Sequence, residues 1–173
     1  HSIETDSSNN LYLFSPDWSA GNSHMDKLSA PGYSSANTTT FPGAPGAKLT
    51  SVIDEARSRI YYFTNYGSFV SVGFDGTIYQ NYDLLTPGSV DSAMYTKLTM
   101  AENGDLYAAW FTQNYSPGYY RSIHAARSPD GGATWTKLDG TALTRPFDDG
   151  ETGPTDMIND VSELDDNFSL TGF

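Results

Sequence analysis

The chain has 173 residues, no cysteine and a formal net charge of −12. Its length suffices for a domain with a core of its own, and the lack of cysteine excludes disulfide bonds and thiolate chemistry. The acidic balance argues against nucleic acids and anionic membrane surfaces as partners, and no apolar run approaches the roughly 20 residues of a membrane-spanning helix.

An internal repeat organises the chain. Aromatic residues make up 14% of it and charged residues only 17%, a balance typical of short strands joined by polar turns and not of disorder. Four segments share one layout, in which a turn rich in Asp, Asn or Gly precedes a short aromatic and aliphatic run. The runs begin at Leu11, Ile60, Leu106 and Phe168. The first three lie roughly 50 residues apart, which is the period of β-propeller blades.

Each run is preceded by a strand-like stretch, and further strands follow it. We therefore predict an all-β fold of β-propeller blades, each of four antiparallel strands, as an incomplete portion (about three and a half blades) of a larger propeller. A β-sandwich is the alternative, but it does not predict the repeat. In chain order, the strands that precede the runs are expected at 2–5, 49–53, 95–100 and 158–163. The strands that follow the runs are expected at 69–74 and 78–82 in the second unit and at 120–127 and 134–138 in the third. The blades are expected at about 1–44, 45–88, 89–143 and 144–173.

One motif is specific. The segment Ser128-Pro-Asp130-Gly-Gly132-Ala-Thr134-Trp135 matches the Asp-box pattern Ser-X-Asp-X-Gly-X-Thr-Trp at every fixed position. The Asp130 carboxylate can accept backbone N–H groups across the turn, and Gly132 can adopt the positive φ that such a turn needs. Ser128 and Thr134 can hydrogen-bond within the loop, while Trp135 packs against the blade. These five residues are predicted to be structural, with catalysis or metal binding as the less favoured alternative.

The segment 123–143 resembles the Asp-box (bacterial neuraminidase repeat) β-propeller proteins of the sialidase-like superfamily. Within them it is most similar to the branch that contains polysaccharide lyases such as ulvan lyases. In that branch the Asp box is followed by a "dGtpL…P" segment and then an Asn-rich strand, which 141–146 and 158–161 fit. The resemblance covers roughly residues 93–173 and implies a carbohydrate-active propeller.

Propeller geometry predicts which loops meet a ligand. The turns between second and third strands and the connections between blades share one face, and the Asp box lies on the other. Aromatic rings beside amide and carboxylate groups suit a sugar, whose C–H faces stack while its hydroxyls hydrogen-bond. The predicted loops are 15–26, 64–68, 112–119, 42–48, 85–92 and 144–156, and the predicted substrate-binding residues are Asp17, Trp18, His24, Tyr66, Asn114, Tyr115 and Tyr119.

Lyase chemistry needs a group that neutralises a uronate carboxylate, a base and an acid, which Arg with His or Tyr can supply. Tyr120, Arg121 and His124 are the candidate catalytic residues. In a regular strand Tyr120 and His124 share a face and Arg121 points the other way, so the trio requires a bulge. A hydrogen-bonded structural histidine is the alternative for His124. The arginine cluster that a sialidase would need is not visible.

Two functional classes stay open. The first is a secreted polysaccharide lyase or glycoside hydrolase that acts on an extracellular glycan. The second is a non-catalytic extracellular propeller that binds glycans or has a structural role. We expect no cofactor and no metal, with a structural Ca²⁺ as the alternative. The expected partner is a polysaccharide or glycan, together with the remainder of the propeller or a second chain.

Overall fold

A computed structural model describes residues 2–17, 19–34, 36–44, 46, 48–86, 91–114, 120–150 and 153–159. These residues form strands and turns, and within them no helix is long and apolar enough to span a membrane. The strands are β1 Ser2–Thr5, β2 Leu11–Asp17, β3 Asn22–Leu28, β4 Ala36–Phe41, β5 Leu49–Asp54, β6 Arg59–Thr64, β7 Ser68–Gly73, β8 Ile78–Asp83, β9 Leu85–Thr86, β10 Asp91–Met100, β11 Leu106–Asn114, β12 Tyr120–Ser128, β13 Trp135–Thr136, β14 Ala142–Leu143, β15 Phe147–Asp148 and β16 Asp156–Asn159.

Three antiparallel sheets follow one another along the chain. The first has the order β1-β2-β3-β4 and the second the order β5-β6-β7-β8. The third has the order β10-β11-β12-β13-β14, and β9 and β15 pair in parallel beside it. Each sheet is built by successive hairpins, as in a propeller blade, so the predicted all-β fold of four-stranded antiparallel blades is confirmed. Below, the three sheets are called the first, second and third blades.

The outer edge of the third blade differs from the expectation. A strand expected at 134–138 is only Trp135–Thr136, because the Lys137 and Thr141 backbones close a tight turn into β14. The short β13 pairs with β12 only at Arg127, which leaves the rest of that edge free for another strand. Of the strand expected at 158–163, residues 160–163 lie outside the described residues; residues 158 and 159 belong to β16, Asp156–Asn159, which pairs with Ile123–Ala125 of β12. The run that begins at Phe168 lies outside the described residues.

The core consists of two layers between neighbouring blades. Alternation along β6 builds both layers, because Ile60 and Tyr62 face the first blade whereas Tyr61 and Phe63 face the third. The inner strands β6 and β7 of the second blade are therefore buried on both faces. The layer between the first two blades holds Tyr12, Phe14, Met25, Phe41, Ala44, Ile60, Tyr62, Val70 and Val72, and the layer between the last two holds Tyr61, Phe63, Phe69, Leu84, Leu85, Ala93, Leu98, Leu106, Ala108, Trp110, Ala126, Trp135 and Phe147.

A buried aspartate recurs at the turn between the first and second strands. Asp6 accepts the hydroxyl of Tyr12, and Asp54 accepts the hydroxyl of Tyr61 at 3.1 Å. Burial alone would raise the pKa of Asp54, but hydrogen bonds from the Arg57 side chain and backbone and from Tyr61 outweigh it and lower that pKa. These carboxylates tie each turn to the aromatic run that follows it, which gives the sequence repeat a physical basis.

Candidate functional site

The two sets of loops predicted to share a face meet at the second blade. The Lys48 N–H donates to the Asn65 side-chain oxygen at 3.0 Å, and the Asn65 N–H donates to the Lys48 carbonyl at 2.8 Å. The Leu84 N–H donates to the Gly67 carbonyl at 2.8 Å. We call the surface formed by the second-to-third-strand turns and the inter-blade connections the loop face, and the opposite surface, which carries the first-to-second-strand and third-to-fourth-strand turns, the turn face.

Asp17 and His24 lie together at the loop-face end of the first blade. His24 Nε2 is 3.5 Å from an Asp17 carboxylate oxygen, and His24 Nδ1 is 3.0 Å from the Thr40 hydroxyl. Hydrogen bonds from Ser19 and then from His24 lower the pKa of Asp17. The His24 side chain is 26% exposed, and both of its nitrogens face protein partners, so a sugar hydroxyl would have to displace one of these contacts to bind the ring. Trp18, beside this pair in sequence, lies outside the described residues.

Tyr66 stands at the tip of the turn between β6 and β7, with 53% of its surface exposed. The turn is rigid, because the Ser68 N–H donates to the Thr64 hydroxyl and Gly67 has a φ of +83°. A side chain at Gly67 would meet the Leu85 backbone, so only glycine fits there. The sequence-based expectation that Tyr66 presents its ring on this face agrees with that geometry.

His124 is fully buried in the third blade. Its ring stacks on Trp110 with 6.0 Å between centroids and 15° between planes, and its Nδ1 is 3.0 Å from the Thr155 hydroxyl. The Trp110 indole N–H donates to the Asp149 carbonyl at 3.0 Å. The histidine therefore helps to fix the connection that follows β15, a structural role that does not require contact with substrate.

Tyr120 and Arg121 begin β12, and their side chains lie outside the described residues. Phe111 pairs with Ile123 but Gln113 pairs with Tyr120, so β12 contains one extra residue between these pairs. β12 therefore has a bulge between Tyr120 and Ile123. Asn114 ends β11 without a described side chain, and Tyr115 and Tyr119 lie outside the described residues. The assignment of these residues to catalysis or substrate binding stays a prediction.

The 128–135 loop is closed by its own side chains on the turn face. Asp130 accepts the Thr134 N–H at 2.8 Å, the Thr134 hydroxyl at 2.7 Å and the Ser128 hydroxyl at 3.0 Å. The Gly132 N–H donates to the Ser128 hydroxyl at 2.8 Å. Trp135 is buried edge-on against Phe69. The loop packs the third blade onto the second, as expected for a structural element.

Two cation–aromatic pairs, one at the loop face and one beside the 128–135 loop, were not singled out from the sequence. The Lys48 ammonium lies 3.4 Å from the centroid of the Tyr95 ring, and the Arg145 guanidinium carbon lies 3.9 Å from that of Tyr82. Arg145 borders an open depression of about 410 Å³ lined by Tyr82, Asp83, Arg145 and Pro146. Both pairs join residues distant in sequence, so no local pattern could have revealed them.

Within the described residues, no group of three or more His, Asp and Glu side chains is arranged to hold a metal ion. Asp148 and Asp149, which lie together in β15 and the connection after it, accept backbone N–H groups. Asp148 accepts the Gly150 N–H at 2.7 Å, and Asp149 accepts the Ala93 N–H.

Comparison with solved structures identifies the architecture. An ulvan lyase of polysaccharide lyase family PL25 superposes with a TM-score of 0.64 at 10% identity over 85% of this chain. The chain spans 42% of that structure's length. The shared fold is that of propeller blades. A PL25 ulvan lyase bound to -[GlcA(1-4)Rha3S]- gives the same TM-score at 12% identity, over 85% of this chain and 42% of that one.

A bifunctional GH43-CE protein of Bacteroides eggerthii also superposes, with a TM-score of 0.51 at 14% identity over 84% of this chain and 19% of that one. No protein-family model and no curated protein sequence matches the chain. At these identities the likeness establishes the fold alone.

Proposed function

We propose that this protein is a secreted carbohydrate-active protein that binds an acidic polysaccharide on its loop face. Two cation–tyrosine contacts carry the proposal: Lys48 over Tyr95 on that face, and Arg145 over Tyr82 between the second and third blades, beside the 128–135 loop. A cation held on an aromatic ring keeps its charge and offers its remaining N–H groups to a ligand. Such groups suit the carboxylate or sulfate of an acidic sugar.

The distribution of positive charge supports an anionic ligand despite the net charge of −12. On the turn face, Arg57 and Arg127 are neutralised by Asp54 and Asp105, each at 2.7 Å. In the part of the chain that the structure describes, no carboxylate forms an ion pair with Arg145. The Arg145 guanidinium therefore offers local positive charge to an acidic polymer without the whole chain being basic, although the Asp83 carboxylate lines the same depression and opposes it.

The structural neighbours agree with a glycan ligand. One of them is an ulvan lyase bound to a fragment of glucuronate and rhamnose 3-sulfate. We also infer that the 128–135 loop is an Asp box, since four of its fixed residues make internal hydrogen bonds and the fifth, Trp135, packs against Phe69 of the neighbouring blade. The assignment to the bacterial neuraminidase repeat proteins is part of this proposal.

Two versions of the function differ in chemistry. In a lyase, Arg121 would neutralise the uronate carboxylate while Tyr120 and His124 exchange protons with the substrate. In a non-catalytic binding module these residues only build the blade, and the complete burial of His124 favours that version. Absorbance near 235 nm separates them, because elimination creates an unsaturated uronate that absorbs there. A rise on a uronate-containing polymer supports the lyase, and binding without a rise supports the module.

We expect Arg145→Gln to weaken binding of a polymer of alternating glucuronate and rhamnose 3-sulfate by about tenfold, because one charge-assisted contact is lost. Arg59→Gln is the matched control: Arg59 also lies 3.9 Å over a tyrosine ring, that of Tyr79, but at the turn-face end of its strand. Calorimetric titration of both variants and the unsubstituted protein measures the effect. Equal affinities for the two variants, or no binding by the unsubstituted protein, would contradict the proposal.

A further inference from the structure

Tyr95 adopts a backbone conformation that bulky residues rarely tolerate. Its φ is +47°, in the left-handed region, and 42% of its surface is exposed. It lies in β10, the first strand of the third blade, within a bulge between Met94 and Lys97. Glycine or asparagine would fit this position with less strain. An exposed aromatic residue held in strain is a feature of functional positions, because core burial does not compensate for it.

The bulge places the Tyr95 ring under the ammonium group of Lys48, 3.4 Å from the ring centroid. The backbone of Lys48 is fixed in turn by two hydrogen bonds with Asn65, at 3.0 and 2.8 Å. The base of the lysine side chain is thereby fixed, and the contact with Tyr95 positions its ammonium group between the second and third blades. The contact uses one direction of the ammonium group, and the other N–H donors stay available.

We propose that Lys48 and Tyr95 form a binding subsite for the anionic group, carboxylate or sulfate, of one sugar unit in an acidic polysaccharide. Lys48 contacts the anion, and Tyr95 is a positioning residue that holds the ammonium group in place. This subsite rests on the proposed function and adds to it a second contact point, distinct from Arg145. The subsite explains why a strained tyrosine is found at position 95. Glycine or asparagine would relieve the backbone strain, but neither has the aromatic ring that holds the ammonium group.

The test combines affinity with thermal stability. We expect Lys48→Met and Tyr95→Gly each to weaken binding of the polymer of glucuronate and rhamnose 3-sulfate by about tenfold. Tyr95→Phe keeps the ring and should bind within about twofold of the unsubstituted protein. Because Tyr95→Gly relieves the backbone strain, its melting temperature should stay within about 2 °C of the original value or rise.

Several outcomes would overturn the subsite. One is a fall in melting temperature of more than about 4 °C for Tyr95→Gly, which would show a structural role for the ring. Another is unchanged affinity in Lys48→Met while Arg145→Gln still weakens binding; the proposed function then survives and the subsite alone fails. If the unsubstituted protein binds none of the polymers, both proposals fail together.

Two modified polymers distinguish the anions. If Lys48 binds sulfate, the Lys48→Met effect disappears with the desulfated polymer and persists with the carboxyl-reduced one. If Lys48 binds carboxylate, the Lys48→Met effect persists with the desulfated polymer and disappears with the carboxyl-reduced one. An effect of equal size on both modified polymers and on dextran would contradict recognition of an anion.

Discussion

Gly132→Ala is expected to destabilise the fold by about 4 kcal/mol, the largest effect of any single methyl group considered for this chain. Two causes add. Gly132 has a φ of +90°, and a Cβ there would overlap the ring of Phe69 in the neighbouring blade. Because Phe69 is buried between Tyr61, Tyr82 and Trp135, its ring has little room to move away.

Gly140→Ala is the matched control for that experiment. Gly140 has a φ of +92°, almost the same conformation, but no atom lies within 4 Å of the position its Cβ would take. The loss of stability in Gly140→Ala therefore measures only the free energy of holding an alanine backbone at positive φ, about 1 kcal/mol. Urea unfolding of the two variants measures the difference. Equal losses of stability would show that the 128–135 loop is not wedged against the second blade.

Asp54→Ala should lower the free energy of unfolding by about 3 kcal/mol at neutral pH. The substitution removes the acceptor for the Arg57 backbone and side chain at 3.0 and 2.7 Å, and it leaves the buried hydroxyl of Tyr61 without that partner. Asp75→Ala is the control, since Asp75 closes a similar turn through the Thr77 N–H but is exposed. We expect a much smaller loss there, measured by the same unfolding curves.

The Asp54 effect should also depend on pH in a defined direction. Because the pKa of Asp54 is lowered from 3.8 in the folded protein, its contribution to stability is present above pH 3.8 and is lost as the pH falls through the folded value. The stability gap between the original protein and Asp54→Ala should therefore narrow below about pH 4. A gap that stays constant down to pH 2 would mean that the carboxylate does not stabilise the turn.

The blades could be predicted because each is encoded locally. A polar turn followed by an alternating aromatic run forms a hairpin wherever it occurs. In successive blades the tyrosine of the run donates its hydroxyl to the aspartate of the turn, Tyr12 to Asp6 and Tyr61 to Asp54. The 128–135 loop was predictable for a similar reason. Its Asp130 bonds only to residues within the motif, so no distant contact has to be known.

The parts that could not be predicted depend on contacts between distant residues. β16 was expected to lead a fourth blade, yet it pairs with β12, because a two-residue β13 leaves that edge open. The bulge at Tyr95 has no signal in a run that reads as an ordinary strand. Lys48 with Tyr95 and Arg145 with Tyr82 come from different blades or connections, so only the folded chain brings each cation onto its ring.

Mapping the ligand by nuclear magnetic resonance would test the central claim most directly. The ¹⁵N-labelled chain, of 18.8 kDa, would be titrated with an oligosaccharide of glucuronate and rhamnose 3-sulfate while amide shifts are followed. The account predicts shifts for the amides of Lys48, Asn65, Tyr66 and Tyr95 on the loop face and for that of Arg145, with little change at Arg57 and Gly104 on the turn face. Shifts confined to the turn face, or none at millimolar ligand, would contradict it.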